Sequence, residues 1–130
     1  MIAQVIKGLP KADKWIFIVR TEHIDEYEID KAIKAEIPDA IIIDIAETTE
    51  GQASTCMLAF EYIEDDDEVF ISACDNSFLF DREAFRALCT REDVDSVVWT
   101  FTQDPLLTDK PTAWGWLKVN EDGETIDDMS

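Results

Sequence analysis

The feature that most constrains this chain is a change of hydrophobic period that recurs along it. "KWIFIVR" at 14–20 is a continuous apolar run with β-branched residues and polar flanks, which predicts a buried strand. "EHIDEYEIDKAIKAEI" at 22–37 sets Ile24, Tyr27, Ala32, Ile33 and Ile37 near helical spacing, and places Asp30 ahead of Lys34 on one face. It predicts a surface helix, broken around Asp30 and stopped by Pro38. "AIIIDIA" at 40–46 is a second strand. "QASTCMLAFEYI" at 52–63 carries Ala53, Cys56, Met57, Phe60 and Ile63 on one stripe, which predicts a helix. "VFISA" at 69–73 is a third strand, "REAFRAL" at 82–88 a short helix, and "DSVVWTFT" at 95–102 a fourth strand. "AWGWLKVNEDGETIDD" at 113–128 alternates on both sides of Asp122-Gly123, a hairpin.

Strands separated by helices imply crossover connections, a mainly parallel sheet and helices on both faces. The expected fold is therefore α/β, a three-layer α/β/α sandwich with a C-terminal β-hairpin. Neither a repeat nor a low-complexity linker interrupts the chain. The stretch "QDPLLTDKPT" at 103–112 reads as one exposed loop, so residues 1–130 are expected to form a single domain.

A hydrophobic fraction of 46% supplies a core and excludes a disordered chain. No apolar run reaches the roughly 20 residues of a spanning helix, and the first residues carry no cleavage-site pattern, so a signal peptide is not expected. Cys56, Cys74 and Cys89 are odd in number and widely spaced, which argues against a disulfide framework or a zinc knuckle and for a cytoplasmic, reducing setting. With 30 acids against 11 bases the net charge is −19, which repels nucleic acid and anionic membrane and removes both as expected partners. The run "EDDDE" at 64–68 reads as solvated surface or as an acidic metal-binding patch.

Ligands of open parallel sheets gather at the carboxyl ends of the strands. Asp75 follows the third predicted strand directly, where a carboxylate either caps the next turn or holds a hard cation such as Mg²⁺. A second feature is "AETTEGQASTC" at 46–56, in which Thr48, Thr49, Glu50 and Gly51 link a strand to a helix. Gly51 permits close approach of a ligand to backbone, and the helix start offers free N–H groups. The bland alternative is a capping box with Thr49 as the cap and Gln52 at its third position. His23, the single histidine, stands without a nearby acid–base partner and reads as structural or solvated. Trp99, Trp114 and Trp116 lie on predicted strands and read as core, with Trp114 or Trp116 lining a pocket as the alternative.

Taken in order, these pieces resemble the sugar-phosphate nucleotidyltransferases, closest to the small relatives of surface-polysaccharide synthesis. "MIAQVIKGL" resembles the first helix after that family's nucleotide loop, "TTEGQASTCMLAFEYIEDDDEVFISACDNSFLFD" its central block, and "AWGWLKVNEDGETI" its later hairpin. The resemblance spans nearly the whole chain. It implies a nucleotide-diphospho-sugar transferase-like, Rossmann-related fold and transfer of a nucleotidyl group from a nucleoside triphosphate to a sugar-1-phosphate. It implies Asp75 as the metal-binding aspartate, with Mg²⁺ as cofactor, and Gly51, flanked by Glu50 and Gln52, as the part facing the nucleotide.

The family's glycine-rich triphosphate loop would precede Met1, and its second metal acid and sugar-binding Glu–Lys stretch would follow Ser130. The resemblance therefore implies the middle of a catalytic domain, inactive by itself. The family's first strand lies between those matching 14–20 and 69–73. Its absence implies two raw edges that pair with each other or with a second copy in a homodimer. Two other readings stand beside this one. The first is a non-catalytic nucleotide- or sugar-binding or regulatory module with the same fold. The second is a nucleotide-sugar-dependent glycosyltransferase, disfavoured because Asn76 and Ser77 follow Asp75 where an Asp-x-Asp is expected.

Overall fold

The computed structural model describes residues 1–75, 77–101, 109, 112, 115–123 and 125–129. Its packing separates two compact units, Met1–Cys89 and Thr90–Ser130.

The first unit opens with helix α1, Ile2–Gly8, which buries Val5 and Ile6. Strand β1, Ile16–Arg20, and strand β2, Ile41–Ile45, pair in parallel with Ile16 opposite Ile41 and Arg20 opposite Ile45. Both are rich in Ile and Val, whose branched Cβ atoms suit a pleated surface. Parallel neighbours require a crossover. Helices α2, Thr21–Tyr27, and α3, Ile29–Glu36, supply it. The break between them falls at Glu28, which adopts left-handed φ 50° and ψ 40°, two residues earlier than Asp30. The sequence does not reveal this shift, because the break depends on how α3 turns to seat Ile33. That side chain is fully buried, in the layer where α1 meets α3. Among the described residues no ion pair joins Asp30 to Lys34; Lys31 pairs with Glu28 instead. Helix α3 ends at Glu36, and Ile37, at φ −130° and ψ 89°, leaves the helical region ahead of Pro38, in keeping with proline's clash with a helical preceding residue.

The predicted helix over 52–63 is shorter than its pattern suggests. Helix α4 covers Gln52–Met57, and a 3₁₀ turn follows at Phe60–Tyr62. Only Ala59 of this region is buried, while Met57 and Phe60 stand 62% and 65% exposed. Ala53, Met57 and Phe60 of the apolar stripe are exposed, so little packing among the described residues holds it in one continuous helix. Residues 69–73 and 95–101 form no strand, and residue 102 lies outside the described residues. Among those residues β1 pairs with β2 alone, so 69–73 is not paired with β1 as one version of the edge-pairing expectation required. A strand exists by satisfying its backbone groups against a neighbouring strand, and among the described residues no strand pairs with 69–73. Helix α5, Arg82–Cys89, closes the unit, with Phe85 edge-on to Phe70 at 6.2 Å and to Phe80 at 5.6 Å.

In the second unit the predicted hairpin is formed by β3, Leu117–Val119, and β4, Ile126–Met129, which run antiparallel. Gly123 takes φ 71°, a left-handed turn position that favours glycine. Asp122 accepts from the Thr125 backbone N–H at 2.9 Å and from the Thr125 hydroxyl at 2.6 Å, which locks the turn. Trp99 and Trp116 are 39% and 45% exposed rather than core, and Trp114 lies outside the described residues.

Candidate functional site

Asp75 is exposed, and among the described residues no hydrogen bond or ion pair engages its carboxylate. The turn-cap alternative therefore has no bond behind it. The residue that caps is Asp81, whose Oδ1 accepts from the backbone N–H groups of Glu83 at 2.9 Å and Ala84 at 3.0 Å at the start of α5. Asp75 is left with its oxygens free for solvent or an ion.

The segment that carries Asp75 is held against the end of α1. A Cβ added at Gly8 would lie 3.5 Å from the Ser77 Cβ and 3.8 Å from the Phe78 carbonyl oxygen, which is close packing without clash. The Arg82 guanidinium donates to the carbonyls of Leu9 at 3.3 Å and of Lys7 and Gly8 at 3.4 Å. Its Cζ also sits 5.2 Å from the Phe80 ring centre. Sequence reasoning missed Arg82, yet a signal was there. A cation at the first position of a helix faces the positive end of the macrodipole and is unfavourable. Arg82 serves the opposite pole of a different helix.

The second predicted feature is local to the start of α4. Its N-cap is Gly51, not Thr49, and no side chain caps it. Thr49 instead donates from Oγ1 to the Gly51 carbonyl at 3.1 Å, and its hydroxyl lies 2.5 Å from that of Thr55. The Thr55 hydroxyl also donates to the Gly51 carbonyl at 3.1 Å. The capping box fails because the Thr49 hydroxyl turns onto a carbonyl, away from the N–H groups. Gly51 itself is extended, at φ 171° and ψ 177°, and a Cβ there would meet nothing within 4 Å. The backbone needs no glycine at this point, and the space beside it is open. Glu50 and Gln52 are both exposed on either side. No hydrogen bond or ion pair links Asp75 to Glu50 or Gln52 among the described residues.

Lys14 donates to the Tyr62 carbonyl at 2.8 Å and to Asp67 Oδ2 at 3.1 Å, and the same Asp67 oxygen accepts from the Glu64 backbone N–H at 3.0 Å. The Glu64 N–H first, and then the Lys14 ammonium, hold the Asp67 carboxyl below the usual aspartate range. One acid of the 64–68 run is thus committed to structure. No group of three or more metal-ligating side chains occurs among the described residues. His23 is exposed and tilts against Tyr27 at 6.1 Å.

Asp75 offers a cation one protein oxygen donor group, and no all-protein cage surrounds it among the described residues. No helix among the described residues is long and apolar enough to cross a membrane. No protein-family model, curated protein or solved structure matches the chain.

Proposed function

We propose that this chain is a nucleotidyltransferase-like domain of the kind that joins a nucleoside triphosphate to a sugar-1-phosphate in the cytoplasm. In this reading the fold is a three-layer α/β/α sandwich. Glu50, Gly51 and Gln52 face the nucleotide, and Asp75 is the protein carboxylate on Mg²⁺. The observation that carries the reading is the state of Asp75. It ends an apolar segment with its oxygens unengaged, while Asp81, six residues on, does the local capping. The open face at Gly51 is a second support, since a flat base can approach backbone there without displacing a side chain.

The reaction is an in-line displacement. A sugar-phosphate oxygen forms a bond to the α-phosphorus as the bond to the bridging oxygen breaks, and pyrophosphate leaves with the electron pair. Bound Mg²⁺ supplies neutralisation of the phosphate charge. The residues of this chain supply position. Gly51 leaves room, Glu50 and Gln52 offer polar groups beside it, and Asp75 presents a hard oxygen donor. Residues 1–130 contain no glycine-rich loop with Arg and Lys, so the reading assigns them binding and no catalytic residue. That observation also favours the second reading, a nucleotide- or sugar-binding module without chemistry. Self-association into a homodimer would use the edge of β1 that no described strand covers.

Isothermal calorimetry with Mg²⁺ and a nucleoside triphosphate tests the proposal, with Asp75→Ala as control. Heat that depends on Mg²⁺ and is lost in Asp75→Ala is expected. Heat indifferent to the substitution removes Asp75 from the site, and heat without Mg²⁺ dependence favours the module.

A further inference from the structure

The turn between β3 and β4 holds the chain's single Asp-Gly pair. We infer that Asp122-Gly123 is a latent site of isoaspartate formation, and that the Thr125 side chain is the latch that keeps it closed.

An aspartate ahead of a glycine can react with its own backbone. The glycine amide nitrogen bonds to the aspartate Cγ and loses its proton, which departs with the carboxyl hydroxyl as water. The cyclic imide then takes water up again. Opening at the side-chain carbonyl restores aspartate; opening at the main-chain carbonyl leaves the chain running through Cβ, as isoaspartate. Glycine is the favoured neighbour because it has no side chain to crowd the ring. Ring closure needs a carboxyl free to turn, an amide N–H free to give up its proton, and a backbone free to bring the two into line.

This turn withholds all of these. Asp122 Oδ1 accepts from the Thr125 backbone N–H at 2.9 Å, and Oδ2 accepts from the Thr125 hydroxyl at 2.6 Å. The Gly123 N–H, which would supply the attacking nitrogen, donates to the Asn120 carbonyl at 3.0 Å. Across the turn the Asn120 N–H donates to the Thr125 carbonyl at 2.9 Å. The Asn120 side-chain amide also donates to the Thr125 hydroxyl at 2.9 Å, which leaves the hydroxyl's own proton for Asp122. Thr125 therefore joins both ends of the turn. The liability is built in, because Gly123 sits at φ 71°, where an L side chain would be strained. Asp122 and Gly123 are also exposed, so water reaches the imide once it forms. Ring closure must wait for the turn to open locally, and its rate then reports how often the latch releases. Conversion adds Cβ to the main chain between Val119 and Ile126, which face each other in the ladder, so the hairpin cannot keep its register.

The test ages the full chain in native buffer and, in parallel, unfolded in urea. Isoaspartate at Asp122 is counted by peptide mapping with electron-transfer fragmentation, which separates the two isomers at equal mass. The native wild type should convert about tenfold more slowly than the unfolded chain, the opening equilibrium being the difference. Thr125→Val keeps the backbone N–H and the branched shape and removes the hydroxyl. Its native rate should rise about tenfold, the factor for one hydrogen bond to a charged group. Thr125→Ser returns the hydroxyl and should keep the slow rate, and in urea all three should convert alike. Absence of isoaspartate even in urea overturns the site. A native wild type as fast as its unfolded chain overturns the closure. A slow native Thr125→Val, or a Thr125→Ser as fast as Thr125→Val, overturns the role of the hydroxyl. If unprotected exchange of the Asn120 N–H shows that Thr125→Val has lost the hairpin, Asn120→Ala decides: it leaves Thr125 in place and frees its hydroxyl. A native rate in Asn120→Ala above that of the wild type upholds the latch, and an equal rate overturns it.

Discussion

Replacing Ile33 by Ala probes the centre of the first unit. Ile33 is fully buried on α3 and, with Val5, Ile6, Ala40 and Ala59, makes up the buried apolar core among the described residues. The substitution deletes Cγ1, Cγ2 and Cδ1. At about 0.8 kcal/mol for each buried carbon, the transfer loss is about 2.5 kcal/mol. The α1–α3 layer cannot fully close over the gap, and the cavity brings the expected loss to about 3–4 kcal/mol. A unit spanning Met1–Cys89 has a total stability of roughly 4–13 kcal/mol at ordinary values per residue. One substitution should therefore remove a large share of it. Ile71→Ala is the matched control, because Ile71 is 56% exposed and its truncation should cost under about 1 kcal/mol. Urea unfolding followed by circular dichroism gives both values, provided the slope with denaturant stays the same. A loss below about 1.5 kcal/mol for Ile33→Ala, or one equal to that of Ile71→Ala, would refute the placement of the core between α1 and α3.

Glu28 holds a left-handed conformation that glycine adopts freely, and its pairing with Lys31 is exposed. Glu28→Gly should therefore stabilise the unit by about 0.5–1 kcal/mol in thermal melts, and a destabilised variant would count against the break at Glu28. Gly51→Ala should leave stability within about 0.5 kcal/mol, because its backbone is extended and nothing lies near the new methyl. The same variant should weaken nucleotide binding in calorimetry if the base lies against Gly51. The lowered pKa of Asp67 makes its charged form more favourable folded than unfolded. Its stabilisation is thus complete above the unfolded value of about 3.9 and lost as pH falls through the lower folded value. The stability gap between the wild type and Asp67→Asn should be present at neutral pH and shrink below about pH 4; a gap that widens on acidification would show that Lys14 and the Glu64 N–H do not hold this carboxylate.

The elements most legible in the sequence were those whose own residues satisfy them. The runs at 14–20 and 40–46 contain β1 and β2, and the Asp122-Gly123 turn closes its hairpin through groups within a few residues. The segments at 69–73 and 95–101 have the same apolar character and are not strands, since a strand requires a second backbone that composition does not name. The stripe over 52–63 likewise predicts a face but not the surface it would need. At the site, Asp75 and Gly51 could be singled out from residue type and position. The role of Arg82 could not, because it depends on which carbonyls the fold brings within reach.

Sequence alone determined the acidic surface, the β-branched runs, the proline stop after Ile37 and the glycine turn at Gly123, since each follows from a side chain acting on its own backbone. Tertiary structure alone decided that Arg82 closes the far end of α1. The reason is range. Local sterics act over a few residues, whereas the Arg82 bonds span more than seventy and exist only once the chain has folded back on itself.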